Sequence, residues 1–264
     1  MKIICLIKFV PDVNNFLYDY EKNVLVRENV DLILNPDDSC ALAFALKLKK
    51  SKADVTVEVV TMAPMSIRGR LKDMIKIGVD RAVLISDKQY QGSDTYATSL
   101  IIGEYLKEQT YDLLLAGTHS LDGDTAHVPA QLAELLDLEY MSYVTGISQE
   151  GLEEGRIRFT TDYDQMISEF EAKLPMLLSI SKESRYKLPF VRYKDLELEV
   201  DNQIFVLSNQ DLQLCASEIG LQGALTKVEK TYRPEYKKKK NIVVQNDEIG
   251  IETVYQFLKE KGFL

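Results

Sequence analysis

Residues 111–138 read YDLLLAGTHSLDGDTAHVPAQLAELLDL. YDLLLAG (111–117) is a nearly continuous apolar run, as expected of a strand buried on both faces of a sheet. DTAHVPAQLAELLDL (124–138) instead spaces its apolar residues at the helical period. A buried strand feeding an amphipathic helix is the repeating unit of a parallel sheet covered by helices. The turn between them, GTHSLDGDTAHV (117–128), holds two glycines, two aspartates and both histidines of the chain, so its composition bears on what the protein binds.

Working outward, the same alternation recurs. KIICLIKF (2–9), DVTVEVVTM (54–62) and RAVLIS (81–86) read as strands. DDSCALAFALKLKK (37–50) reads as a helix with an Asp or Ser near its N-cap and lysines at its end, and SIRGRLKDMIKIG (66–78) as a helix closed by glycine. SDTYATSLIIGEYLKEQ (93–109) is the third helix. The order βαβαβαβα predicts an α/β fold of three layers: a mostly parallel sheet with helices on both faces. From about 140 the pattern turns β-rich, with MSYVTGISQE (141–150), RIRFTTDYD (156–164) and MISEFEAKLPMLLSIS (166–181) expected as antiparallel additions to the sheet edge. Residues 1–190 are expected to form the α/β domain. Residues 191–264, polar and irregular until the amphipathic GIETVYQFLKEKG (250–262), are expected to be an extended C-terminal arm that packs on a partner chain.

The 264 residues carry 41 acidic and 32 basic side chains, a net charge of −9, which opposes a phosphate-backbone partner. YKKKK (236–240) is the one basic block and reads as a solvated linker. No apolar run approaches the ~20 residues that span a bilayer. The N-terminal run meets Lys8, Pro11 and Asp12 with no small-residue cleavage site, so it reads as a first strand, and a cytoplasmic protein is expected. Cys5, Cys40 and Cys215 are odd in number and far apart, which argues against a disulfide framework or a structural zinc site.

In an open parallel sheet, ligands bind beyond the carboxyl ends of the strands, where strand order reverses. A helix that starts there offers unpaired amides and the positive end of its dipole to an anion. Gly117 and Gly123 let the backbone approach a ligand closely, and Asp124 or Thr125 can start the helix. Asp122 and Asp124 would repel phosphate, so they are expected to shape the loop through hydrogen bonds to its backbone, leaving Thr125 and the amides of 126–128 for the anion. There is no G-x-G-x-x-G and no P-loop lysine. Two other readings stand beside the phosphate turn: a metal held by His119, Asp122, Asp124 and His127, whose spacing matches no compact zinc signature, and a plain structural turn.

Several motifs in register also resemble the β subunit of electron-transfer flavoproteins. LDGDTAHV (121–128) resembles I-D-G-D-T-A-Q-V, IKFVPD (7–12) resembles V-K-x-V-P-D, and LNPDD (34–38) is similar to N-P-x-D/E. VTMAP (60–64), GSDTYATS (92–99) and RYKLP (185–189) resemble V-T-M-G-P, G-A-D-T-x-A-T-S and R-Y-A-x-L-P. His127 stands where the family has Gln, Thr118 and His119 where a basic residue and Gln are common, and Pro129 where Gly is frequent.

The resemblance implies an α/β heterodimer that carries electrons on flavin, with an adenine nucleotide in this chain: AMP in ordinary members, a second FAD in electron-bifurcating ones. The forms of the V-P-D, G-x-D-T-x-A-T-S and D-G-D-T-A segments resemble the bifurcating group and favour FAD, with NADH as electron donor and ferredoxin as one acceptor. A flavin-dependent dehydrogenase of acyl-CoA or hydroxy-acid type is the further partner implied, touching a loop near DLQLCAS (211–217). The resemblance places Leu6, Asn35, Pro36, Asp37, Asp38 and Met62 at the cofactor. It adds the turn itself: Gly117, Thr118, His119, Ser120, Leu121, Asp122, Gly123, Asp124, Thr125, Ala126, His127 and Val128. Val10, Pro11 and Asp12, in a loop that Pro11 stiffens, would lie towards the flavins. His127 either donates to a phosphate oxygen, more strongly when protonated, or is a solvated residue of the first helical turn. No catalytic acid, base or nucleophile set is apparent, so the flavin would do the redox chemistry. A free-standing adenine-nucleotide sensor of the same build is the competing function; such a domain would end near residue 140 to 180.

Overall fold

A computed structural model describes residues 1–12, 17–19, 24–26, 31–150, 152–164, 166–227 and 243–264. The elements of the first half are β1 (Lys2–Leu6), β2 (Phe9–Pro11), β3 (Leu17–Asp19), β4 (Val24–Val26), β5 (Leu32–Leu34), α1 (Pro36–Ser51), β6 (Thr56–Met62), α2 (Arg68–Lys76), β7 (Arg81–Ile85), α3 (Thr95–Lys107), β8 (Leu113–Gly117) and α4 (His127–Leu135). There follow β9 (Glu139–Ile147), β10 (Arg156–Tyr163), β11 (Met166–Lys173), β12 (Met176–Ile180), β13 (Ile204–Leu207), α5 (Asn209–Leu212), α6 (Gly220–Gly223) and α7 (Glu248–Glu260). The chain divides into two compact units, Met1–Lys227 and Val228–Leu264.

The first unit is the expected three-layer α/β fold. Its main sheet runs β11-β10-β9-β12-β8-β1-β6-β7-β13. The pairs from β9 through β13 are parallel, while β10 pairs antiparallel with both β9 and β11. From β1 the chain winds outward through β6 and β7 on one side and then through β8 and β12 on the other, so strand order reverses between β1 and β8. One face is covered by α1 and α2, whose Leu42, Phe44, Leu48 and Leu71 pack on Ile3, Val57, Val59 and Leu115. The opposite face is covered by α3 and α4, whose Ile101, Leu106 and Leu132 pack on Ile4, Val60, Val83 and Leu114. β8 alternates between the two cores, which is why its sequence reads as an unbroken apolar run.

Two expectations change. The stretch 166–181 is not one antiparallel addition. Pro175 has no N–H to give a ladder, and the chain breaks there into edge strand β11 and a separate β12. β12 is buried throughout and inserts parallel between β8 and β9. Residues 191–227, given to the arm by sequence, lie within the first unit, where β13 extends the sheet beyond β7. In the second unit the described residues, 243–264, contain α7, capped by Asp247, whose carboxylate accepts from the Gly250 amide at 2.7 Å. Ile249, Ile251, Val254, Tyr255 and Phe257 of α7 are exposed. The lysine block 236–240 lies outside the described residues. No helix among those described is long and apolar enough to cross a membrane. Cys5 and Cys40 are buried free thiols and Cys215 an exposed one.

Candidate functional site

The carboxyl ends of β1 and β8, the point of reversal, meet the N-terminus of α1. Pro36 at N1 suits the start of that helix, and Asp37 and Asp38 stand in its first turn, where carboxylates complement the dipole. Both aspartates are buried, and both reach across to other elements. Asp38 accepts from the amide of Lys8 (2.8 Å), just past β1, and from that of Gly117 (2.9 Å), the last residue of β8. Asp37 accepts from the amides of Lys182 (3.0 Å), past β12, and His119 (3.4 Å). Asn35 spans the turn: its amide donates to the His119 carbonyl (2.8 Å) and its oxygen accepts from the Leu121 amide (3.2 Å). One helical turn thus stitches three strand ends and the loop together. Asn35, Asp37 and Asp38, which the sequence places at the cofactor, direct these bonds to the protein's own backbone.

The loop is held from the other side by Lys8, whose ammonium lies 2.7 Å from Asp122. Burial works against ionisation of Asp122, but the Lys8 ammonium, Ser120 and the Gly123 amide outweigh it and hold the carboxyl below its usual range. Asp122 therefore shapes the loop, as expected, with its charge neutralised. Sequence reasoning did not single out Lys8, although it stands inside the IKFVPD motif. The imidazole of His119 lies 3.3 Å from Asp37 through Nδ1 and 3.8 Å from Asp124 through Nε2. Among the described residues no group of three or more His, Cys, Asp or Glu is placed to hold a metal.

The helix after the loop starts later than expected. Its N-cap is Ala126, not Asp124 or Thr125, and both Asp124 (φ 50°) and Ala126 (φ 54°) are left-handed. Non-glycine residues in that region carry strain of order 1–3 kcal/mol each and cluster at functional sites. Ala126 has no side chain able to cap, so the first amides of α4 lack a side-chain partner, and Pro129 at N3 has no N–H at all. Residues 122–127 are exposed, while Thr118 is buried with a hydroxyl that has no hydrogen-bond partner. Leu6, Met62 and Val128 pack with the core beneath α3 and α4, on one side of the sheet at the reversal point. Val10 and Pro11 sit in β2, paired antiparallel with β5 (Val10 opposite Ile33), and the Asp12 amide donates to the Asp31 carbonyl at 3.0 Å. An uncapped helix start suits an anionic group, and the apolar residues at the reversal point suit an apolar body.

Two expected motifs have structural roles. Asp94 of the GSDTYATS segment caps α3 through the Ala97 amide (3.0 Å) and accepts from the amide and hydroxyl of Thr226 (both 2.8 Å). Leu212 and Leu214 of DLQLCAS are half-buried against the core beneath α3 and α4, while Asp211, Gln213 and Cys215 between and beside them are exposed.

Asp38 has the most displaced carboxyl of the site. Burial pushes it up to about 7 and the charge of Asp37 adds to this, against Asn35 and the amides of Lys8 and Gly117, which pull it down. A folded value above the unfolded one means that the folded state binds the extra proton, so stability is greatest below about 4 and declines as pH rises towards 7. Urea midpoints of the wild type and Asp38→Asn, which cannot ionise, should therefore shift in favour of the variant between pH 4 and 8. Parallel curves would show that Asp38 is ionised throughout that range.

A doubly wound sheet with a stitched, uncapped loop at its reversal point defines the class of α/β proteins that hold a ligand at strand ends. Within that class, a family model described as "Electron transfer flavoprotein domain" matches residues 22–189. The chain belongs to the electron transfer flavoprotein family and aligns end to end with its β subunits. It is 32% identical over 265 residues to "Electron transfer flavoprotein subunit beta" of Thermoanaerobacterium thermosaccharolyticum, covering 99% of each chain. It is 34% identical over 241 residues to "Caffeyl-CoA reductase-Etf complex subunit CarD" of Acetobacterium woodii, covering 90% of this chain and 89% of that one. With "Protein FixA" of Azotobacter vinelandii the identity is 30% over 249 residues, covering 92% and 88%.

Proposed function

We propose that this chain is the β subunit of a heterodimeric electron-transfer flavoprotein that holds an adenine nucleotide, FAD in preference to AMP, on the loop between β8 and α4. The observation that carries this reading is the helix start at Ala126: strained, exposed and without a side-chain cap, yet fixed from beneath by Asn35, Asp37 and Lys8. In this reading the amides at the start of α4, with Thr118 and Thr125, hold phosphate oxygens, and Leu6, Met62 and Val128 form the apolar wall for the ring. Bound FAD would supply the electron-carrying chemistry; the chain binds, orients and shields it. FAD is favoured because the V-P-D opening and the D-G-D-T-A loop take the forms of the bifurcating group. That choice carries with it oxidation of NADH, with electrons divided between ferredoxin and the α-subunit flavin, and delivery to a dehydrogenase of acyl-CoA or hydroxy-acid type.

An α subunit as partner is supported by apolar surface left uncovered in this chain: Met166, Ile167, Phe190 and Tyr193 on the first unit, and the apolar residues of α7 on the second. Coexpression with the α subunit should give a yellow complex. Two FAD released per heterodimer supports the bifurcating form, and one FAD with one AMP supports the simple carrier. A β chain that remains nucleotide-free and ignores the α subunit would overturn the reading.

A further inference from the structure

A hollow lies away from the nucleotide loop, between the outer face of α1 and the segment 186–189. It measures about 310 Å3 and is lined by Ala43, Leu46, Lys47, Lys50, Tyr186, Lys187 and Pro189. Positions 43, 46, 47 and 50 share one face of α1, so buried Ala43 and Leu46 form a floor and the two lysines a rim. Tyr186 is the far wall and is fixed before any ligand arrives. Its ring packs on Phe44 at 5.5 Å, its hydroxyl accepts from the Ile147 amide at 3.2 Å, and its carbonyl accepts from the Cys40 thiol at 3.3 Å. The Lys47 ammonium lies over that ring, 5.5 Å from its centre.

The charge pattern is the unusual part. Among the described residues Lys47, Lys50 and Lys187 form no ion pair, whereas Lys49, on the same helix, sits 2.6 Å from Asp80. In a chain with 41 acidic and 32 basic residues, three unneutralised ammonium groups around one preformed apolar hollow are not the expected arrangement of surface charge.

We propose that this hollow is a second binding site, for a small organic anion: a carboxylate or phosphate monoester at the lysine rim, with an aliphatic or ring body of pocket size on the Leu46–Tyr186 floor. It shares no residue with the nucleotide loop, so it stands whether or not the reading above does. The preformed wall spares the ligand the cost of ordering it, and the lysines supply head-group selectivity.

The test is calorimetric titration of the full chain at low salt with octanoate, octyl phosphate and uncharged 1-octanol. Octanoate, octyl phosphate or both should saturate one site per chain, and which of them does so names the head group. Octanol should bind at least about tenfold more weakly, and the triple variant Lys47→Met/Lys50→Met/Lys187→Met should lose about tenfold for the anions, since three exposed charge contacts together are worth roughly that factor. The melting temperature should stay near that of the wild type, because all three side chains are exposed. The proposal is overturned if neither anion saturates, or if the triple variant binds both anions as well as the wild type does.

Discussion

Gly117→Ala is expected to remove much of the protein's stability, although Gly117 has an ordinary backbone conformation and lies at the end of a strand where alanine is otherwise tolerated. The reason is the close approach of α1. A Cβ at this position would collide with the Asp38 carboxylate and lie 2.7 Å from the Asp37 Cβ and 2.8 Å from the Asp38 amide nitrogen. The backbone atoms belong to the first turn of a helix pinned by Pro36 and by bonds to Lys8, His119 and Lys182, so they cannot retreat without breaking those bonds. Overpacking of this kind costs about 1–3 kcal/mol, and displacing the buried Asp38 carboxylate from the Gly117 amide adds about 1–3 kcal/mol for groups left without partners. The sum takes a large share of the roughly 5–15 kcal/mol that folding yields. Thermal denaturation should show a melting temperature lower by about 4–24 °C, the range that about 2–6 kcal/mol gives at the ~2–4 °C per kcal/mol usual for a domain of this size, or little folded protein at all. Gly103→Ala is the control: the nearest atoms to its Cβ would be in the Leu132 and Leu135 side chains, at 3.6 Å each, an ordinary contact distance, and helix propensity favours alanine there. If both variants melt with the wild type, α1 does not approach β8 as described.

What the sequence revealed and what it concealed separate along the same line. β8, β6 and β7 were legible because a strand buried on both faces must be apolar throughout, and α1 to α3 because one-sided burial imposes the helical period. The insertion of β12 between β8 and β9 was not legible, since MLLSI states that the strand is buried but not beside which neighbour it lies. At the site, DGDTA marked the loop, and the expectation that Asp122 and Asp124 shape it through backbone hydrogen bonds holds for Asp122, to which the Gly123 amide donates at 2.9 Å, and not for Asp124, whose carboxylate stands 3.8 Å from the His119 imidazole. Hidden from the pattern was the partner 114 residues away: Lys8 reads locally as the charge that ends a strand. Asp37 and Asp38 likewise read as residues near the N-cap of α1; the N-cap is Asn35, earlier than the stretch 37–50 suggests, and only the approach of β8 and β12 turns the two first-turn acids into acceptors for Gly117 and Lys182. The late start of α4 also has no local signal. An alanine N-cap in the left-handed region contradicts both capping and backbone preference, and such contradictions are expected where a ligand rather than a side chain is to meet the amides.

Asn35→Ala should then separate binding from folding. Asn35 touches the loop at two points, the His119 carbonyl and the Leu121 amide, and no other side chain among the described residues bonds either group. Its removal leaves both without a side-chain partner, at a cost of about 1–3 kcal/mol. The loop is exposed from 122 to 127 and can relax into water, so most of that cost should appear as loosening of residues 118–126 rather than as global unfolding. Asp37→Ala acts on the same loop through His119 but also frees Lys182 at the end of β12, so it should lower the melting temperature further than Asn35→Ala does. Hydrogen exchange of the loop amides should quicken about tenfold or more in Asn35→Ala, the factor that corresponds to 1.4 kcal/mol, and nucleotide affinity should fall by a similar factor if those amides hold phosphate. The two readouts distinguish the claims. Exchange that quickens while affinity holds would remove the nucleotide from this loop. Exchange that does not change would mean that Asn35 is no brace, and the strained start of α4 would then need another cause.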